Sequence, residues 1–168
     1  MELQKLEKKG IQLFKFEQIV LYSIYSLSIL IPLIIGKPQL LVGSAVNFLI
    51  VYSTLTYGIK KTLPILLLPS LTATLTGILF NGATVFLIYV LPFIVISNYI
   101  LSYLVSKKKI VYLVLGILGK GLFIVISYMA MNRLIGLPSI FISSSYVQFL
   151  TALIGVSLGY TLYRYSKR

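Results

Sequence analysis

Apolar stretches and short polar breaks alternate along this chain, six stretches in all. They cover 18–35, 39–57, 62–80, 83–105, 110–132 and 139–163. Each is close to the ~20 residues that a helix rising ~1.5 Å per residue needs to cross ~30 Å of hydrocarbon. The breaks carry helix punctuation. Gly36, Lys37 and Pro38 follow the first stretch and Gly136, Leu137 and Pro138 the fifth, each a helix stop followed by a helix-starting proline. Asn81 and Gly82 turn the chain after the third. Connections this short make consecutive helices antiparallel neighbours. The pattern predicts an all-α integral membrane protein, a compact bundle of six transmembrane helices over 18–163. Segment 1–17 alternates charges with Leu3, Leu6, Leu13, Phe14 and Phe16 and lacks the apolar run of a cleavable signal. It predicts a short amphipathic helix on the cytoplasmic membrane surface, and 164–168 a basic cytoplasmic tail.

Composition agrees: 58% of residues are hydrophobic and 11% charged, where a soluble domain carries about a quarter charged. Charge then gives the bundle a direction. Of fifteen Lys and Arg, twelve fall in the amino-terminal segment, the second and fourth breaks and the tail. Only Lys37 and Arg133 occupy the opposite side, and Lys120 sits within a span. Loops rich in Lys and Arg stay cytoplasmic, so both termini are expected inside. The net charge of +12 is accounted for by these loops facing anionic membrane lipid, without nucleic acid as a partner.

Much chemistry lacks its residues. The sequence has no His and no Cys, and its acids, Glu2, Glu7 and Glu17, all lie ahead of the first span. Carboxylate dyads, thiolate or zinc sites and proton relays through buried acids are excluded from the membrane region. A Ser–Lys dyad through Lys120 is the remaining catalytic arrangement, but serines in membrane helices ordinarily bond their own helix carbonyls. The residues therefore point away from an enzyme, and no cofactor is expected.

Lys120 is the sharpest individual signal. Ten residues separate it from the cluster Lys107, Lys108 and Lys109, which puts it ~15 Å into the core. A cation at that depth costs ~2.5–3.5 kcal/mol or more, and no carboxylate in the spans can pair with it. A bound anion, another subunit, internal water or neutralisation would have to answer it. Asn47 and Gln148 reach comparable depth from spans two and six, and Asn98 lies nearer the inside on span four. On span five Ser127 shares the face of Lys120, with Tyr128 at its edge and Asn132 near the outer rim. Together these seven residues could line a pocket open to the outside with Lys120 as its floor; singly, each amide is equally explained as a bond between helices. Gly116, Gly119, Gly121, Gly155 and Gly159 suit close helix packing, with a glycine-lined approach for substrate as the alternative.

Six short helices with a basic inner face, together with the runs LVGSAVNFL at 41–49 and LPFIVISN at 91–98, resemble the S components of energy-coupling factor (ECF) transporters. The resemblance implies the cell membrane of a prokaryote and capture of a micronutrient from outside. It also implies association with a transmembrane coupling subunit and two cytoplasmic ATPases; the chain carries no nucleotide-binding loop of its own. The family's first helix docks the coupling subunit through an Ala-x-x-x-Ala surface, where this chain offers Ser23, Ser26 and Ser28. Two other readings stay open: a stand-alone oligomeric transporter or channel, and a structural subunit of a membrane complex.

Overall fold

The computed structural model describes residues 2–167 and, outside 2–15, 81 and 82, their side chains. The helices are α1 (Glu2–Ile34), α2 (Gln39–Tyr57), α3 (Ile59–Thr76), α4 (Leu87–Val105), α5 (Ile110–Ile135) and α6 (Ser139–Ser166), with a 3-10 turn over Asn81–Phe86 ahead of α4. No strand occurs among the described residues. The protein is therefore all-helical, and five of its helices are long and apolar enough to cross a membrane: α1 from Phe16 onward, α2, α4 with the preceding turn, α5 and α6.

The sixth expected span differs. It was expected over 62–80, and α3 instead begins at Ile59 and stops at Thr76. Its 18 residues include Lys60, Lys61, Pro64 and Pro69, which lower its apolar content. It stops early because Gly77 takes the left-handed conformation (φ 70°), which a residue without Cβ adopts freely. Gly136 ends α5 the same way at φ 64°, its amide donating to Asn132 O at 2.9 Å. Helix α1 runs through Glu17 and Gln18 unbroken, and its apolar stretch begins at Phe16. The amphipathic face expected of 1–17 rests mostly on side chains outside the described residues, and so does Arg168 of the tail.

Helices α2, α3, α4, α5 and α6 close a ring in which each touches the next and α6 returns to α2. Helix α1 leans on the outside of the ring against α3 and α2, tied to α3 where Tyr25 Oη donates to Lys61 O at 2.6 Å. The α2–α6 seam is the most extensive, and glycine makes it so. A Cβ at Gly155 would lie 2.7 Å from the Phe48 amide nitrogen, and one at Gly159 3.1 Å from Phe48 O. Gly43, from α2, answers across the seam, where a Cβ would lie 2.8 Å from Thr151 Cγ2. Helices in lipid gain no hydrophobic drive from one another, so backbone approach and dispersion hold them. Gly116 and Gly119 serve the α4–α5 seam against Leu101 and Ile100, while Gly121 makes room for the Phe149 ring. All six of these glycines thus act in helix packing.

The helix ends sort by charge. One end of the bundle gathers the 58, 106–109 and 164–167 connections with their lysines and arginines, and aromatic rings accompany them. Lys107 lies 4.5 Å from the Tyr103 ring centre, Lys108 and Lys167 each 5.5 Å from that of Tyr163, and Arg164 6.0 Å from that of Tyr160. Cation and ring here share one level, as amphipathic rings and basic residues do at a membrane surface. Among the described residues, the opposite end carries only Lys37 and Arg133 as cations and is closed by apolar and aromatic residues around Phe80, Phe141 and Leu137.

Candidate functional site

Lys120 enters the ring from α5 and is 3% exposed. Its Nζ donates to Asn47 Oδ1 of α2 at 2.5 Å and to Asn98 Oδ1 of α4 at 2.6 Å. Each amide is oriented by a second bond. Asn47 Nδ2 donates to Thr151 Oγ1 of α6 at 3.2 Å, and Asn98 Nδ2 donates to Leu66 O of α3 at 3.0 Å. Thr151 Oγ1 in turn donates to Gln148 O at 3.1 Å. One ammonium thereby connects all five helices of the ring, and both amides present oxygen inward because their nitrogens are engaged outward.

Magnitudes show what this network does and what it leaves. Insertion of a lysine at mid-membrane costs ~2.5–3.5 kcal/mol on translocon scales, and a hydrogen bond to a charged group returns ~1.5–3 kcal/mol. Two such bonds are enough to hold Lys120 inside. They supply dipoles rather than an opposite charge, and an ammonium has three donors. The third donor and the monopole are left over. No described acidic side chain lines the site: Glu17, the one acid whose side chain is described, stands at the start of the apolar stretch of α1.

The leftover charge borders a cavity of about 70 Å³ in the half of the bundle away from the lysine-rich end. A buried water occupies ~10–15 Å³ of such space, so the cavity has room for about five. Lys120, Asn47, Asn98, Tyr128 and Gln148 all line it. Ser127 is buried and Asn132 half-buried, and neither reaches the lining. Both lie on the α5 stretch that Tyr128 shares, but the longer phenol ring passes into the cavity where the short side chain of Ser127 does not. Tyr128 is 2% exposed, its ring is packed edge-on against Phe141 at 5.9 Å, and its hydroxyl makes no hydrogen bond among the described residues.

Three polar contributors were not anticipated from sequence: Gln39 and Ser70 on the lining, and Thr151 behind Asn47. Spacing held the signal for two of them. Gln39 stands eight residues before Asn47, as Lys120 stands eight before Tyr128, and Thr151 follows Gln148 by three, all helical same-face intervals. The rest of the wall is apolar, including Val46, Ala73, Leu79, Phe80 and Leu87. Phe80 roofs the cavity and is held by Thr84, whose Oγ1 accepts from Phe80 N at 3.0 Å and donates to Gly77 O at 2.9 Å.

On α1 the three serines separate. Ser23 and Ser26 lie exposed on a shallow surface with Ile19, Tyr22, Leu27 and Leu30. Ser28 is fully buried on the other side, donating to Tyr25 O at 2.7 Å, and takes no part in that surface.

Compared with known proteins, the chain matches no family model, no curated protein and no solved structure.

Proposed function

We propose that this protein is a six-span membrane subunit, both termini cytoplasmic, that captures a small ligand with an anionic group from outside for an ATP-driven uptake system of the ECF type. The observation that carries the reading is Lys120: a buried cation, held by two amides, whose unused donor borders a cavity in the half away from the basic end. The positive-inside rule puts that half outward. Helix α3 counts as a sixth span because it packs between α2 and α4 and joins their opposite ends. Enclosure of Lys120 within its own ring speaks against a role meeting an acidic residue of another subunit. The filled centre of the basic half speaks against a continuous pore.

Docking of the coupling subunit falls on the exposed face of α1 around Ser23 and Ser26, since α1 is the helix outside the ring. The test is gentle purification of the tagged protein from its native membrane. A large transmembrane subunit and two ATPases should copurify; a homo-oligomer without ATPase would overturn the coupling. Orientation is tested separately by cysteine labelling. Lys37→Cys and Arg133→Cys should react from outside and Lys107→Cys from inside, and the reverse would invert the topology.

A further inference from the structure

We infer that the ligand of the Lys120 cavity is a compact monocarboxylate of about four to six heavy atoms, its carboxylate at Lys120 and its short tail against the apolar roof. The inference rests on ligand capture at this site, as proposed above, and names the class of ligand. Three observations converge on it.

The first is charge. Lys120 is the one cation among the cavity's lining residues, and no lining residue is acidic. A single negative charge is therefore what the wall can compensate; a dianion would bring one charge too many into low dielectric. The amide oxygens of Asn47 and Asn98 are both occupied by the same ammonium, so they repel no anion placed at its third donor.

The second is distribution of polarity. Lys120, Asn47 and Asn98 form the floor, while Ala73, Leu79, Phe80 and Leu87 supply apolar lining, with the uncharged Gln39, Ser70 and Gln148 between. A spherical or fully polar anion would leave the apolar lining in contact with a charged, hydrated surface. A carboxylate with a short hydrocarbon tail matches both. The Tyr128 hydroxyl, buried and without a partner among the described residues, stands on the wall as a further donor.

The third is size. A cavity of about 70 Å³ is small beside the ~300 Å³ at which pockets begin to hold drug-sized molecules, which favours a compact ligand such as propionate or butyrate. The α2–α6 seam cannot yield to a larger guest, because Gly43 and Gly155 already bring the two backbones together beside the floor.

Equilibrium binding of labelled straight-chain carboxylates from acetate to octanoate, with chloride and nitrate alongside, to the purified full-length protein in detergent tests this. Propionate and butyrate should bind saturably, and octanoate, chloride and nitrate at least about tenfold more weakly. Lys120→Met should lower butyrate affinity by more than about tenfold, as loss of one partner of a buried pair does, and Tyr128→Phe by a few-fold. Absence of saturable binding across the series would overturn the inference, and so would octanoate binding as tightly as butyrate. Unaltered affinity in Lys120→Met would do the same. Should Lys120→Met not fold, the chain-length dependence of the unaltered protein still decides. Failure here leaves capture of some other ligand standing, whereas missing ATPase partners would remove the transport reading and leave this binding intact.

Discussion

Toward the lysine-rich end the centre of the ring is filled: Ile50, Val51, Leu55, Ile65, Leu101 and Val105 are each at most 2% exposed. Toward the other end the same five helices enclose a lysine, two asparagines and a cavity. Both halves come from helices of similar apolar character, so average hydropathy does not separate them. What differs is the residue at the ring's centre. Branched and long aliphatic side chains fill one half to native density. In the other, the small Ala73 leaves space and Lys120 draws polar groups around it. The filled half is held by dispersion over a continuous surface. The hollow half depends on a few directional bonds, each of which leaves a buried group unsatisfied when lost.

Changes aimed at each region test that contrast. The largest effect is expected at the seam that both halves share. Gly155→Leu forces a side chain into the α2 backbone at Phe48 and should destabilise by about 3 kcal/mol or more, seen as a collapse of the folded fraction in denaturant titration in detergent. Next comes the polar floor. Asn98→Leu removes one acceptor from Lys120 and strands the ammonium, for a loss of about 2–3 kcal/mol. Adding Lys120→Met to it should restore most of that loss, because replacing both partners by apolar groups is nearly neutral. A double variant no more stable than Asn98→Leu alone would mean that the network does not hold the hollow half together.

A smaller effect belongs to the roof. Thr84→Val keeps the shape but deletes the bonds to Phe80 N and Gly77 O, and should cost about 1 kcal/mol. Its sign should appear locally, as faster hydrogen exchange over 77–86 with α2 and α6 unaffected; uniform acceleration would argue that the roof is no separate unit. The least effect on stability is expected on α1. Ser23→Ala and Ser26→Ala lie on an exposed face and should stay within about 0.5 kcal/mol. Bulky Ser26→Leu should nonetheless reduce retention of a coupling partner in copurification, and unimpaired retention would move the docking surface elsewhere.

The location of helices was legible because apolar runs of the right length with Gly and Pro at their ends leave few alternatives, and α2, α4 and α5 start within four residues of where the pattern puts them. Boundaries failed where local backbone chemistry outweighed hydropathy, as at Gly77, beyond which apolar residues continue without helix. For the site, depth along each helix brought Asn47, Gln148 and Lys120 to one level, and the helical face of Lys120 brought in Tyr128 at its edge. Ser127 satisfied the same helical rule and still missed the cavity, since a rule about faces does not include side-chain reach. Asn98 was placed nearer the inside than the other candidates, and lysine's long stem spans the difference.

By itself the sequence determined that this is a helical membrane protein, which end of it is basic, and that one lysine lies deep with no acid to meet it, because these follow from composition, period and position along single helices. Tertiary structure alone decided that the lysine's partners are two asparagines rather than a counterion, and that α1 stands outside a ring of five. Those outcomes depend on which helix faces which, and that is set by glycine-to-backbone fit between segments as far apart as Phe48 and Gly155. No local pattern carries such a fit, since it exists only when two surfaces meet.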